Sequence, residues 1–261
     1  MAEFCDLYTI GDVVARNDRY ELFLCYDKSN SQYLYQVPVN AGGEKFIITN
    51  ASFLNMLRES ADYIQEKSDI VYNYHLGFPE IVQEFDDYIT SFVIKLNGVD
   101  NINSVIPLIK MCKEGFRVDL QTSAWIFGKL LKIISFANDN KILLSDISPN
   151  NVLIQPDLHY VIVFDWSKAK IVGMVGEADC KSQLKKVAKI IIKILGDNLD
   201  NVKMCEADDL YIDYINKLAN GGWYNVSKAH IDLYNIIDIM CSMENSNWKN
   251  GFHKFTVVKV N

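Results

Sequence analysis

Residues 143–169, LLSDISPNNVLIQPDLHYVIVFDWSKA, are the most informative stretch of the chain. They contain two short apolar runs, Asn151–Ile154 and Tyr160–Phe164. The runs predict a β-hairpin. Asp146 and Asn151 precede it with the spacing D-x-x-x-x-N, and Asp165 follows it. Because a hairpin brings its two ends together, we expect Asn151 and Asp165 to face one small volume.

The residue types at these positions suit a hard divalent cation. One carboxylate and one amide oxygen are adequate protein ligands for Mg²⁺, which keeps several waters. Asp146, just upstream in the loop, is placed to accept the proton of an attacking hydroxyl. The alternative is that Asp146, Asn150 and Asn151 only cap turns, as Asp and Asn often do. The combination of spacing, flanking strands and a preceding helix favours the site.

The part of the chain before residue 100 is rich in aromatic and β-branched residues, which favour strands. A hairpin is predicted where the turn-forming run Asp27–Gln32 separates two such segments. Asn50 or Ser52 is expected to cap a helix over Phe53–Gln65. The predicted strands are Tyr20–Tyr26, Tyr33–Val39, Phe46–Thr49, Glu80–Glu84 and Tyr88–Lys95.

Helical periodicity dominates after Leu96–Asn101. The predicted helices are Ile102–Lys113, Leu120–Asn138, Lys181–Leu195, Asp208–Leu218 and Lys228–Met243. The tail Phe252–Val260 alternates like an edge strand. Strands followed by helices predict an α+β fold with two lobes. We expect a strand-rich N-lobe with one helix over residues 1–97, and a helical C-lobe over residues 98–261.

At this point the chain resembles the protein kinase superfamily. LSDISPNNVLI is similar to the catalytic loop H-R-D-L-x-x-x-N, and FDWSKA is similar to the D-F-G segment. The resemblance implies that Asp146 is the catalytic Asp, that Asn151 and Asp165 bind the metal, and that Asp179 braces the catalytic loop. It also implies ATP and Mg²⁺ as cofactors, with adenine bound at the backbone near Leu96–Val99 and with Gln36, Leu96 and Asn97 as the nucleotide-binding residues.

Several family features are missing. Leu144-Ser145 replaces His-Arg, Ser148 replaces the catalytic-loop Lys, and Ser167 replaces the Gly of D-F-G. Only 13 residues separate Asp165 from Asp179, which is short for a peptide-docking segment. Antibiotic phosphotransferases are similarly abbreviated, so a small-molecule acceptor stays open.

The phosphate-binding features of the first lobe are also absent. Residues 13–20 contain no glycine, and the Lys of the V-A-I-K strand falls on Gln36. A neutral amide does not supply the counter-charge of an ammonium. Arg16, Arg19 or Lys45 could supply it instead, or the two arginines are simply exposed. Glu59 is expected to face water rather than pair with a lysine.

Composition limits the classes of partner. The chain has 261 residues and a net charge of −7, which makes sequence-independent nucleic-acid binding improbable. Its six cysteines form no CxxC pair, no signal pattern starts the chain, and no apolar run is long enough to cross a bilayer. We therefore expect a cytoplasmic protein that binds no membrane. The basic run Lys181–Lys193 is interpreted as the solvated face of an amphipathic helix.

Three functional hypotheses follow. The first is an active ATP- and Mg-dependent phosphotransferase whose partners are a nucleotide and a hydroxyl acceptor. The acceptor is a protein Ser or Thr, or a small molecule like those that antibiotic phosphotransferases modify. The second is a pseudokinase, an interaction module with weak or no nucleotide turnover. The third is an unrelated helical regulatory protein with a chance match.

Overall fold

An antiparallel sheet and one long helix form most of the first of two compact units. The computed structural model describes residues 2–67, 72–86, 88–223, 225–248 and 253–259. The first unit comprises Met1–Val105 together with Ile162–Ala169. Its helices and strands are α1 (Ala2–Leu7), β1 (Tyr8–Arg16), β2 (Tyr20–Asp27), β3 (Gln32–Pro38), α2 (Ala41–Lys67), β4 (Glu80–Asp86) and β5 (Thr90–Lys95).

The five strands pair antiparallel in the order β1-β2-β3-β5-β4. Successive side chains of a strand point to opposite faces. On one face an aromatic cluster forms around Phe4, whose ring centroid lies 4.1 Å from that of Tyr35 and 5.3 Å from that of Phe85. Gln36, the next residue along β3, therefore points to the opposite face, paired with Leu22 and Phe92.

Helix α2 begins far earlier than predicted. Asn40 Oδ1 accepts the backbone N–H of Gly43 at 2.9 Å, so Asn40, not Asn50 or Ser52, caps the helix. The predicted strand Phe46–Thr49 is wrong, because these residues lie inside α2. Its β-branched residues favour a strand locally, but Ile47 is fully buried on the helix face that packs against the sheet. Glu59 is exposed, as predicted.

The second unit is mainly helical and comprises Ile106–Val161 and Lys170–Asn261. It contains β6 (Ile106–Pro107), α3 (Leu108–Lys113), β7 (Phe116–Val118), α4 (Leu120–Asp139), β8 (Ile142–Leu143), β9 (Val152–Gln155), the first two residues of β10 (Tyr160–Val163), β11 (Lys170–Ile171), α5 (Glu177–Ile194), α6 (Asp208–Ala219), α7 (Val226–Ser242) and β12 (Val257–Lys259). Strand β10 runs on into Ile162–Ala169, the segment that belongs to the first unit.

Helix α4 is the centre of the second unit. Asp119 caps it by accepting the N–H of Thr122 at 2.8 Å. Leu130, Leu131 and Ile134 are fully buried, because α5 and α7 both pack against α4. The predicted helices over residues 120–138, 181–195, 208–218 and 228–243 are confirmed to within a few residues.

The predicted helix Ile102–Lys113 is wrong in its first half. Residues Ile102–Ser104 form a 3₁₀ turn, and Ile106–Pro107 form strand β6, paired with β9. Pro107 has no backbone N–H to donate inside a helix, which disfavours a helix running through it, and its backbone is extended (ψ 124°), so α3 begins at Leu108.

Two further expectations can be compared with the described part of the chain. The tail strand is confirmed at Val257–Lys259, which pairs with β7, whereas Phe252 and Val260 lie outside the described residues. Within the described ranges, no helix is long and apolar enough to cross a membrane. The boundary between lobes at residues 97 and 98 stays a prediction.

Candidate functional site

The loop before β9 holds the first two predicted site residues, Asp146 and Asn151, in the second unit. Asn151 is buried, and its Nδ2 donates a hydrogen bond of 3.0 Å to the backbone oxygen of Asp146. Ser148 Oγ donates to Asp146 Oδ1 at 3.0 Å. These bonds fix the loop from within: the amide nitrogen of Asn151 faces the loop backbone, and a hydroxyl sits beside the Asp146 carboxylate, where the resemblance leads us to expect a lysine.

Helix α5 supports this loop through two side chains that the sequence did not reveal. Gln183 Nε2 lies 3.3 Å from the backbone oxygen of Leu144, and Lys186 Nζ donates to the backbone oxygen of Ser145 at 2.8 Å. Gln183 is itself buried and held by Asn138 of α4 at 2.9 Å. The sequence could have indicated the role of Gln183, because helical spacing places this polar residue among the apolar residues on the buried face of α5. The supporting role of Asp179, in the first turn of α5, stays a prediction.

The third predicted site residue, Asp165, lies on the segment Ile162–Ala169 of the first unit. Its Oδ1 accepts the backbone N–H of Ser167 at 2.8 Å, so the carboxylate is oriented by the turn that follows it. The neighbouring Trp166 is fully buried, and its indole Nε1 donates to the backbone oxygen of Val163 at 2.9 Å. Trp166 is thus a packing residue that anchors the segment carrying Asp165.

Asn50 of α2 holds the same segment. Its Oδ1 accepts the backbone N–H of Trp166 at 2.7 Å, and its side chain is 1% exposed. Sequence reasoning treated Asn50 only as a possible cap. The sequence could have indicated a buried role for Asn50, because helical spacing places this polar residue on the same face of α2 as Ile47, Leu54 and Leu57.

The negative charge of Asp165 affects the pKa of Tyr20, the first residue of β2. Burial raises the pKa of Tyr20 to about 12, and the negative charge of Asp165 contributes to the rise.

Gln36 lies at the position of the expected lysine and is 1% exposed. Its Oε1 is buried and has no hydrogen-bond partner among the described residues; the same is true of Ser167 Oγ. Buried polar atoms without partners are rare and costly, and they are frequent at functional sites. The first unit thus carries two polar atoms that a bound ligand could satisfy.

Two of the three candidate cations of the first unit, Arg16 and Arg19, interact with other side chains. Arg16 forms an ion pair with Glu21 at 2.7 Å, and the guanidinium of Arg19 stacks over the ring of Phe46 at 4.3 Å. Lys45 is exposed on the first turns of α2. The β1–β2 turn is closed by Asn17, which accepts the N–H groups of Arg19 and Tyr20. The structure provides no interaction that assigns any of the three cations to a phosphate.

The predicted adenine-binding residues follow β5. Leu96 is buried, and its backbone oxygen accepts the N–H of Val99 at 3.1 Å in a turn that includes Gly98 at φ 74°. Asn97 Nδ2 lies 3.3 Å from the backbone oxygen of His75. The role of Leu96 and Asn97 in nucleotide binding stays a prediction.

The donor set fits magnesium better than it fits a softer metal. Among the described residues, no group of three or more His, Cys, Asp or Glu side chains could hold a metal ion. A site with one carboxylate and one amide oxygen does not require such a group, since Mg²⁺ takes few protein ligands. Asn151 belongs to the second unit and Asp165 to the first, and their expected meeting around one ion stays a prediction.

Comparisons with known proteins bear on the fold. No protein-family model matches the chain. It is 27% identical over 135 residues to 3-phosphoinositide-dependent protein kinase 1 of Caenorhabditis elegans, which covers 48% of this chain and 20% of that protein. The chain therefore spans about a fifth of the length of this relative. The BubR1 kinase domain superimposes with a TM-score of 0.63 at 11% identity, covering 90% of this chain and 81% of that domain.

Proposed function

We propose that this chain, which has a protein-kinase-like fold, is an ATP- and Mg-dependent phosphotransferase that acts on a hydroxyl acceptor. The observation that carries the proposal is the loop Asp146–Asn151, in which the Asn151 amide binds the Asp146 backbone and Ser148 orients the Asp146 carboxylate. A loop of surface turn residues needs neither the burial of Asn151 nor its support by α5.

In this proposal each residue has one role. Asn151 and Asp165 would hold Mg²⁺, and the ion would neutralise charge on the transferred phosphoryl group. Asp146 accepts the proton of the acceptor hydroxyl while the hydroxyl oxygen forms a bond to the γ-phosphorus of ATP. The bond between the γ-phosphorus and the bridging oxygen breaks, and ADP leaves. Gln36, Leu96 and Asn97 contact the nucleotide, and Asp179 supports the loop through α5.

The acceptor and location belong to the same proposal. A protein Ser or Thr is the first candidate, and the short stretch between Asp165 and Asp179 also admits a small-molecule hydroxyl. A cytoplasmic location is supported by the free cysteines of the described chain, Cys25, Cys112, Cys180, Cys205 and Cys241, since a reducing compartment keeps thiols unpaired.

The test is an ATP-turnover assay on four proteins. Asp165→Asn and Asp146→Asn each remove one proposed role, whereas Asp157→Asn removes an exposed carboxylate from the turn between β9 and β10. We expect the first two variants to lower turnover by at least about a hundredfold and the third to leave it unchanged. Thermal melting with and without Mg·ATP measures binding independently, because a ligand of the native state raises its stability.

A catalytically inactive interaction module is the second candidate, and two buried neutral amides of the first unit favour it. Gln36 and Asn50 are both uncharged, so neither supplies a counter-charge to a phosphate. In that case the parent protein shows no turnover with any acceptor while its fold is intact. Equal turnover in the parent protein and Asp165→Asn would instead contradict the proposed metal-binding role.

A further inference from the structure

Four lysines and one tryptophan meet at the loop between α6 and α7, in the second unit. The loop begins Asn220-Gly221-Gly222-Trp223. Lys217 Nζ lies 4.6 Å from the centroid of the Trp223 ring, and Lys228 Nζ lies 5.3 Å from it. Lys181 and Lys185 of α5 reach the same loop, because a Cβ added at Gly221 would contact the Cε atoms of both, that of Lys185 at 2.6 Å. We refer to Lys181, Lys185, Lys217, Lys228 and Trp223 as the lysine–tryptophan cluster.

The two glycines make this convergence possible. Gly221 has φ +81°, which favours glycine over other residues. A Cβ at Gly222 would lie 2.5 Å from Lys217 Cγ. The stems of three lysines thus lie across a bare loop backbone, where side chains at positions 221 and 222 would displace them.

The cluster carries positive charge without internal compensation. Across the described ranges, no carboxylate forms an ion pair within 4.0 Å of any of its four lysines, although Asp213 and Asp232 stand four residues from Lys217 and Lys228. Two exposed lysines elsewhere in the second unit do form ion pairs: Lys193 with Asp197 and Lys203 with Asp209, both at 2.6 Å. What distinguishes the cluster is that four lysines without an ion pair among the described residues converge on one loop.

Trp223 adds a second and independent feature. Its indole Nε1 is buried, and among the described residues this N–H has no hydrogen-bond acceptor. The groups that the cluster presents to solvent are ammonium donors, and the buried indole N–H is one more donor without an acceptor among the described residues. A ligand that satisfies it must be rich in acceptors and negatively charged.

We propose that the lysine–tryptophan cluster is a docking site for a short acidic segment of a partner protein, with Asp, Glu or phosphorylated side chains. The net charge of −7 supports this size of ligand. An extended polyanion, such as a nucleic acid or a membrane surface, would bring its charge against the rest of a negative protein. A short acidic peptide can be confined to the cluster. The sequence interpretation of Lys181–Lys193 as a solvated helix face omitted Lys217, Lys228 and Trp223, which only the fold brings to it.

Binding of a fluorescein-labelled octaglutamate peptide to the full chain, followed by fluorescence anisotropy, tests the site. We expect Lys217→Glu/Lys228→Glu to raise the Kd by about tenfold or more. The matched control is Lys193→Glu/Lys203→Glu, which changes the net charge equally on lysines outside the cluster, and we expect it to change the Kd by less than about twofold. Lys217→Met/Lys228→Met repeats the test without reversing charge, and melting curves confirm that each variant is folded.

Trp223→Phe tests whether the peptide binds at the cluster itself, by a fluorescence change that long-range electrostatic attraction alone would not produce. Peptide binding is expected to change the tryptophan emission of the parent protein, and this change is expected to disappear in the variant. Equal weakening by the two Lys→Glu pairs, or no binding of the peptide to the parent protein, would overturn the proposal. A third result would also overturn it. If the parent protein does not bind the peptide but sediments with phosphatidylserine vesicles, and if Lys217→Glu/Lys228→Glu abolishes that sedimentation, the ligand is a lipid surface.

Discussion

Among single residues, Gln36 couples stability to the proposed function most directly. Its buried Oε1 lacks a partner among the described residues. Desolvating such an atom costs about 1–3 kcal/mol. We expect Gln36→Met to raise the free energy of unfolding by about 1 kcal/mol, measured by urea denaturation, because the buried oxygen is replaced by an apolar group of similar size.

Gln32 is the matched control on the same strand. Its Oε1 accepts the N–H of Ile102 at 2.8 Å, so Gln32→Met removes a bond that is made and should lower the free energy of unfolding by about 1 kcal/mol. If Gln36 also contacts the nucleotide, the stabilised Gln36→Met variant shows a smaller melting shift with Mg·ATP than the parent protein. A loss of stability in Gln36→Met would show that its oxygen is satisfied in solution.

The candidate site was predictable from sequence only in part, and the reason is visible at single residues. Asp146, Asn151 and Asp165 follow from spacing and from neighbouring apolar runs. Asn50 and Gln183 were missed because their importance depends on which face of a helix is buried and on what backbone lies opposite. Those facts arise from tertiary packing, which local patterns do not contain.

At the scale of elements, the start of α2 depends on one close approach. A Cβ at Gly43 would collide with the backbone oxygen of Arg19, whereas Gly42 is exposed and would meet only the Asn40 side chain at 3.2 Å. We expect Gly43→Ala to lower the free energy of unfolding by about 2 kcal/mol or more through this overpacking. Gly42→Ala should be near neutral, since the higher helix propensity of Ala offsets the tight contact. Equal effects in thermal melts would contradict the assigned packing.

Helix α4 and the segment Ala41–Thr49 show when elements are predictable. In α4 the periodicity, the Asp119 cap and the burial all favour one structure, so sequence and fold agree. In Ala41–Thr49, two glycines and the run FIIT disfavour a helix locally, yet the packing of Ile47 and the Asn40 cap produce one. Tertiary packing overrides local propensity where an element lies against a sheet.

For the whole molecule, the predicted α+β, kinase-like fold is confirmed. The order of strands and helices along the chain was enough to predict the α+β class, because strands followed by helices restrict the possible architectures. The kinase-like fold was predicted from the resemblance of LSDISPNNVLI and FDWSKA to kinase motifs. The assignment of Ile162–Ala169 to the first unit could not be predicted, since contacts distant in sequence leave no periodic pattern.

The pH dependence of stability is a property of the whole chain to which His230 contributes. Burial, with repulsion from Lys132 and Lys129, lowers the pKa of His230 from 6.5 to about 4. The unfolded chain therefore binds a proton that the folded chain excludes, so the stability from this residue is complete above pH 6.5 and is lost as the pH falls toward 4. Its size is on the order of 1–2 kcal/mol, given that His230 is only partly buried.

Urea denaturation of the parent protein and of His230→Gln between pH 8 and pH 4 measures this contribution. We expect the difference between the two free energies of unfolding to be constant above about pH 6.5 and to change below it. Parallel curves over the whole range would show that His230 titrates alike in the folded and unfolded chains.

The placement of Ile162–Ala169 has a consequence for biosynthesis. The first 105 residues alone lack Trp166, the side chain that is fully buried beside Asn50. A ribosome must therefore extend the nascent polypeptide beyond residue 169 before the amino-terminal unit can close. Until then we expect the apolar surface that Trp166 covers in the folded protein to stay exposed on the nascent chain, which favours aggregation or binding by chaperones.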